Sequence, residues 1–331
     1  MLLIADGNNL AWAGFHGLKR AMAPETQADN VRCALLGLTQ SVLGLVVRAG
    51  EPPVAADPVR LAQRNAGRVT GLAVVFDEGR PLARREIWPS YQTGREADPS
   101  FMTNETHILD AIDAFTAIAT ALPITVARGT NTEADDLAAF LTLHAAGPVR
   151  IASSDRDFMQ LLDERVTIYS PIKRVVISVE NFDEHAAPKD TKGVAAVFPR
   201  ERYLDYRAAS GDTSDDLPGI PGLGTLGAAK LLAMAPLDEY LEEPLLTGRA
   251  LGRHNMKLVS AIKSGEAARV VARNRVLMDL RAAASRYESL DGMVQRGRWD
   301  EAHFRAWFHQ QRIAGLDLEA AVFAMRGLAQ P

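Results

Sequence analysis

The 331-residue sequence predicts an α/β fold: a mainly parallel sheet with flanking helices over residues 1–180, then a mostly helical region over 181–331. Three observations carry this prediction. Short β-branched runs alternate with amphipathic stretches, the pattern of strands joined by crossover helices. Several of these runs end on an aspartate or just before one. From about residue 181 the apolar runs fade, and helical patterns with Gly/Pro connections replace them.

Taken in order, the strand candidates are LLIAD (2–6), GLAVVFD (71–77), PITVA (123–127), VRIAS (149–153) and RVTIYS (165–170). Between them, ALLGLTQSVLGLVV, ETHILDAIDAFTAIATAL and EADDLAAFLTLHAAG have the apolar spacing of helices. Residues 51–67, EPPVAADPVRLAQRNAG, read as a loop or insertion without an assignable function. No internal repeat or low-complexity tract is present.

Composition narrows the class. With 47% hydrophobic and 24% charged residues the chain reads as globular rather than disordered. The single cysteine, Cys33, excludes a disulfide framework and a thiolate zinc site, and reads as core filling. MLLIADGNNL lacks the basic and apolar regions of a signal peptide, and no apolar run is expected to reach membrane-spanning length, so a cytoplasmic protein is expected. Net charge is −4, but its distribution is uneven. Residues 249–275 carry seven Lys/Arg against one Glu, and residues 80–95 carry four Arg against one Glu. An acidic site flanked by basic surfaces produces such a balance.

The acids gather at strand ends. Asp6 closes the first run, Asp77 closes the second, and Asp155 and Asp157 follow the fourth. Ligands of open α/β sheets bind at the carboxyl ends of strands. Glu133, Asp135 and Asp136 open a helix, where an acidic first turn with Asn131 or Thr132 as N-cap is the plain structural explanation. Asp212 and Asp215 add a pair one turn apart if their segment is helical. Each acid alone has an ordinary explanation; their joint placement points to one cleft. Eight or nine carboxylates there require cations, and oxygen-only ligands suit Mg²⁺. Two such ions about 4 Å apart support in-line phosphoryl displacement.

The stretch GDTSDDLPGIPGLGTLGAAK (211–230) contains G-x-G-x-x-G, but two prolines precede it where a dinucleotide-binding turn needs a strand. A tight hairpin between helices, with glycines admitting a DNA phosphate to backbone N–H groups, competes with a plain helix–helix turn. The basic segment soon after favours phosphate.

LLIADGNNL, VVFDEG, YQTGR, TEADDLAAF, SSDRDFMQLL, YLDYRAASGDTSDDLPGIPGLG and RNRVLMDL, in this order from Met1 to about residue 280, resemble the 5′-nuclease (flap endonuclease) family. That family includes phage 5′-exonucleases and the 5′-nuclease domain of bacterial DNA polymerases. The resemblance implies a PIN-like nuclease domain, a helical arch at about 80–110 and a helix-three-turn-helix DNA clamp. It implies a first metal cluster of Asp6, Asp77, Glu133, Asp135 and Asp136, and a second of Asp155, Asp157, Asp212 and Asp215. Asp216 sits where relatives usually carry Asn and stays outside the ligand set. Gly219, Gly222 and Gly224, with Thr225 and Lys230, match the duplex-gripping hairpin, which in relatives also holds K⁺. Tyr91 is expected near a base and Arg95 near the scissile phosphate. Relatives show Tyr-Lys where this chain has Tyr91-Gln92, so charge stabilisation is expected to pass to Arg84, Arg85 or Arg95.

The resemblance thus implies a two-metal 5′-3′ exonuclease or flap endonuclease using Mg²⁺, with Mn²⁺ as substitute. Its expected partners are DNA flaps, junctions and nicked or gapped duplexes, with RNA primers among them. A monomer without a polymerase domain, acting alone or beside a separate replisome, is expected. A catalytically degenerate branched-DNA-binding relative and a PIN-type ribonuclease are the alternatives.

Overall fold

A computed structural model describes residues 1–50, 69–252 and 255–329. The expected loop at 51–67 lies outside the described residues, as do two positions of the basic segment. The chain begins β1 (Leu2–Asp6), α1 (Gly7–Met22), α2 (Gln27–Gly50) and β2 (Gly71–Phe76). Short helices α3 (Leu82–Ile87) and α4 (Thr93–Glu96) lead into the long α5 (Pro99–Ala119). Then come β3 (Thr125–Arg128), α6 (Ala134–His144), β4 (Val149–Ala152), β5 (Val166–Ser170), β6 (Val175–Ile177) and α7 (Phe182–Ala186).

The sheet runs β6-β5-β4-β1-β2-β3, and a late strand, β9 (Val294–Arg296), closes its far edge. The five central strands are parallel, and β6 and β9 pair antiparallel at the two edges. All five sequence-predicted runs are strands. Sequence analysis missed both antiparallel edges: β9, Val-Gln-Arg, carries no apolar run, and β6, Val-Val-Ile, is only three residues long. The chain moves outward from β1 to β2 and β3, then crosses to β4 on the other side of β1. That reversal opens a crevice at the carboxyl ends of β1 and β4.

Alternation along the strands fills two cores. Ile4, Val75 and Ile151 face one packed against α6, while Leu3, Ala5, Val74 and Phe76 face one shared with α1, α2 and α5. Cys33 is fully buried in the second core. Gln27–Val47 corrects the expectation that no run reaches membrane-spanning length: by length and composition it does. Its apolar stretch is 67% buried inside the fold, against α1 and α5, which accounts for the composition.

Past residue 200 come α8 (Tyr203–Ser210), the two-residue strands β7 (Gly211–Asp212) and β8 (Leu217–Pro218), and α9 (Thr225–Met234). Helices α10 (Leu237–Glu242), α11 (Leu246–Leu251), α12 (Met256–Lys263), α13 (Glu266–Met278) and α14 (Leu280–Ala284) follow, and α15 (Glu301–Gln310) and α16 (Leu318–Ala329) come after β9. The first core continues through Ile220, Leu231, Leu258 and Val271 into these helices, and Phe304, Phe308 and Met325 join the second.

Candidate metal centre and nucleic-acid interface

Register explains how distant acids meet. Asp6 stands level with Val75 of β2, and Ala5 with Ala152 of β4. Asp77 and Asp155 therefore emerge at matching positions on either side of Asp6. The residues after Asp6 brace both flanks. Asn8 Oδ1 accepts from Asp77 N at 2.9 Å, and Asn9 Oδ1 accepts from Ser154 N at 3.0 Å. Asp6 itself caps α1 by accepting from Asn9 N, while Ser153 Oγ donates to its other oxygen at 2.7 Å. Sequence analysis missed Asn8, Asn9 and Ser153, although Asn8 and Asn9 stand in the GNN that follows Asp6.

The α6 start differs from the expected cap. Glu133 takes the N-cap position without a side-chain cap bond, and Ala134 N instead donates to Asp77 Oδ1 at 2.7 Å. A strand-end carboxylate thus replaces Asn131 and Thr132. Likewise, Asp212 and Asp215 do not share a helix. They lie on the β7–β8 hairpin, whose strands pair Gly211 with Pro218 and Asp212 with Leu217. The glycine and proline flanks favour that hairpin over a helical turn.

The result is a cleft of about 280 Å³ lined by Asp6, Asp77, Glu133, Asp135, Asp155, Asp157 and Asp215. Among the described residues, Asp157, Asp212 and Asp215 offer oxygens within 4.8 Å of one another. Asp136 departs from its expected ligand role. It is 3% exposed and absent from the cleft lining, and Arg84 grips both its oxygens at 2.7 and 3.1 Å. Arg84 also pairs with Glu133 and donates to Leu277 O at 3.0 Å. Arg207, unremarked in the sequence, does the parallel task for the second cluster. Its guanidinium pairs with Asp157 at 2.6 Å and with Asp212.

Burial sets the electrostatics. It pushes the Asp6 and Glu133 carboxyls up to about 7, Asp157 and Asp215 up to about 6, and raises Asp77, Asp135 and Asp155 as well. Asp212 ends below the ordinary carboxylate range, because Arg207 and Ser214 outweigh its burial. Carboxylates held this close, without nitrogen or sulfur donors, fit a hard divalent cation.

The expected arch residues reach into this cleft from above. Tyr91, expected near a base, is 4% exposed and packs on Leu217, Leu277 and Met278, with its hydroxyl donating to Glu133 at 3.2 Å. Its ring is held in that packing and presents little surface at the cleft wall. Gln92 Nε2 donates to Glu133 at 3.2 Å and Asp215 at 3.0 Å, joining the two clusters, and Arg95 donates to Asp215 at 2.7 Å. Arg85 is turned away, onto Tyr91 O and Glu96. Trp12 and Phe101, stacked with ring centroids 4.8 Å apart, form an aromatic wall that sequence analysis also missed.

Beyond the hairpin, Gly219 and Ile220 turn the chain beside α8, with Ile220 N donating to Ala209 O. Gly222 has φ +82°, and its carbonyl accepts from Asn255. Gly224 caps α9 without a side-chain bond, and Gly224, Thr225 and Lys230 are exposed. Lys257, Lys263 and Arg269 are exposed on the neighbouring α12 and α13.

Residues 1–187 match the family described as 5′-3′ exonuclease, N-terminal resolvase-like domain. DNA polymerase I of Mycobacterium bovis is 29% identical over 310 residues, which is 93% of this chain and 30% of that protein. The thermostable DNA polymerase I of Thermus filiformis is 26% identical over 326 residues, 95% of this chain and 33% of that protein. The chain thus spans about a third of the curated relatives. Among solved structures, the bacteriophage T5 5′-exonuclease with divalent metal ions (zinc) bound superposes with a TM-score of 0.61 at 19% identity, covering 99% of both chains. A T5 flap endonuclease complex with DNA and metal ions superposes at 0.60 and 18%, also covering 99% of both. These structures share the PIN-like fold.

Proposed function

Because the chain belongs to the 5′-3′ exonuclease family, we propose that it is a structure-specific 5′-nuclease that hydrolyses DNA phosphodiesters near single-strand/duplex junctions. The observation that carries this reading is the continuity of one short segment. Asp215 lines the acid cleft, Asp212 converges on it and on Asp157, and the same segment runs on into exposed Gly224 and Thr225. Cleavage chemistry and duplex grip are thereby joined by a few residues.

Asp6, Asp77, Glu133, Asp135, Asp155, Asp157, Asp212 and Asp215 would hold Mg²⁺, with Mn²⁺ able to replace it. The bound ions supply an activated water and neutralise charge on the scissile phosphate. Arg95 and Gln92 reach over the cleft to orient that phosphate. The Gly219–Gly224 hairpin would take duplex phosphates through N–H groups at the start of α9, and this segment would hold K⁺. The T5 flap endonuclease, with the same fold, is bound to DNA and metal ions. Substrates are 5′ flaps, nicked or gapped duplexes and RNA primers, cut by a cytoplasmic monomer during replication or repair.

Product mapping on a labelled 5′-flap tests this. Cutting near the junction in Mg²⁺, with 5′-phosphate and 3′-hydroxyl ends and none in EDTA, is expected. Binding without cutting in Mg²⁺ and Mn²⁺ would overturn it.

A further inference from the structure

Asp216 follows the cleft carboxylate Asp215 but is turned away from it, with φ +55°. Its carboxylate accepts from Gly94 N at 2.7 Å, and its carbonyl accepts from Trp88 Nε1 at 2.9 Å. Trp88 lies under Arg273, whose guanidinium stands 4.1 Å above the ring and donates to Pro218 O at 3.0 Å. A Cβ at position 94 would lie 2.9 and 3.0 Å from the two Asp216 oxygens, so a side chain there would have to displace the carboxylate. Alongside it, Gln92 N donates to Asp215 O at 3.1 Å and Arg95 Nε donates to Ser214 O at 3.2 Å. Residues 214–216 and 88–95, more than a hundred positions apart, are thus laced together, with Asp216 the side-chain anchor.

From this lacing we infer that Asp216 is a positioning residue for the cleavage reaction: it fixes the register in which Arg95 meets the scissile phosphate. The inference rests on the nuclease reading. When Arg95 leaves Asp215 for a phosphate oxygen, the Asp216 bonds to Gly94 and Trp88 remain. The 88–95 segment then keeps its place while its cationic side chain changes partner. A carboxylate or an amide oxygen serves equally as acceptor from Gly94, so charge at position 216 is not required.

Single-turnover cleavage of a 5′-flap in Mg²⁺, with flap affinity measured by anisotropy in Ca²⁺, tests it on Asp216→Ala, Asp216→Asn and Gly94→Ala. Asp216→Ala and Gly94→Ala are expected to slow cleavage about tenfold or more with affinity changed less than about twofold, and Asp216→Asn to stay near wild type. In an Arg95→Ala background, Asp216→Ala should add less than about twofold, because it acts through Arg95. Gly94→Ala keeps Asp216 itself and so covers the case in which Asp216→Ala fails to fold. Full-rate cleavage by Asp216→Ala, or an additive loss in the Arg95→Ala background, overturns the inference. A wild-type chain that cuts nothing overturns the nuclease reading instead.

Discussion

The first acid cluster is carried by the ends of packed elements, whereas the second depends on a loop and a two-residue hairpin. Asp6 and Asp77 leave buried strands and are used as caps for α1 and α6, so the same bonds that end the elements aim the carboxylates. Neither Asp157 nor Asp212 caps a helix in this way, although Asp212 accepts from Ser214 N and Oγ within its own turn. Arg207, fifty positions from Asp157 and five from Asp212, draws them together, and Arg95 and Gln92 add bonds to Asp215. Both clusters contain a buried arginine, but its partners differ. Arg84 is divided between one cleft acid, Glu133, and one acid outside the cleft, Asp136, whereas both partners of Arg207 belong to the converging triad. One arginine therefore reinforces a scaffold, and the other stands in the place where cations would relieve repulsion.

The largest expected effect treats the clusters alike. Asp135→Asn and Asp155→Asn should each cost roughly a thousandfold in single-turnover cleavage, since several kcal/mol of charge stabilisation depend on each cluster. If only one cluster mattered, one variant would retain near-normal rates. Arg95→Ala, which touches the second cluster alone, should slow cleavage by about a hundredfold, and a normal rate would remove Arg95 from the reaction. Gln92→Lys should leave the rate unchanged or raise it.

Stability separates the two arginines. Arg84→Ala and Arg207→Ala each strand buried carboxylates and should cost about 3–5 kcal/mol in metal-free unfolding titrations. Mg²⁺ should restore much of the loss for Arg207→Ala, because both stranded acids face the triad. It should restore little for Arg84→Ala, whose Asp136 lies outside the cleft. Equal recovery in the two variants would contradict the distinction.

The smallest effect is on pH. Burial raises the folded pKa of these acids above the unfolded value, so the folded state binds more protons in between, and stability falls as pH rises. The fall runs from about 4 to about 6 for Asp157 and Asp215, and continues to about 7 for Asp6 and Glu133. Metal-free protein should therefore melt at least about 2 °C lower at pH 7.5 than at pH 5.5. Saturating Mg²⁺, which binds the ionised acids, should reverse that slope. The Asp6→Asn variant should flatten the fall between pH 6 and 7.

Most of the first cluster was legible because strand ends are marked in the sequence: an apolar run stops, an aspartate follows, and sheet topology does the rest. The acidic half of the hairpin was legible only as a set of acids. Its shape was misjudged, since helical spacing between Asp212 and Asp215 gave way to the turn demanded by the flanking Gly and Pro. Contacts over long sequence separations were not legible at all. Nothing in ARREIW says that Arg84 meets Asp136 rather than a phosphate, and nothing in DYRAAS says that Arg207 is buried between two aspartates. Tyr91 shows the same limit: an aromatic residue in a basic segment looks available for stacking until three apolar neighbours close over it.

The matched levels of Asp77 and Asp155, on the strands either side of Asp6, have a consequence for how such a cleft is calibrated. Neighbouring strands lie about 4.8 Å apart because backbone hydrogen bonds hold them there. Paired metal ions in phosphoryl-transfer sites generally sit about 4 Å apart. Acids leaving adjacent strands thus arrive already on a gauge of the right size, set by peptide geometry that no side-chain substitution changes. Mutation can empty a position on that gauge, but it cannot reset the divisions.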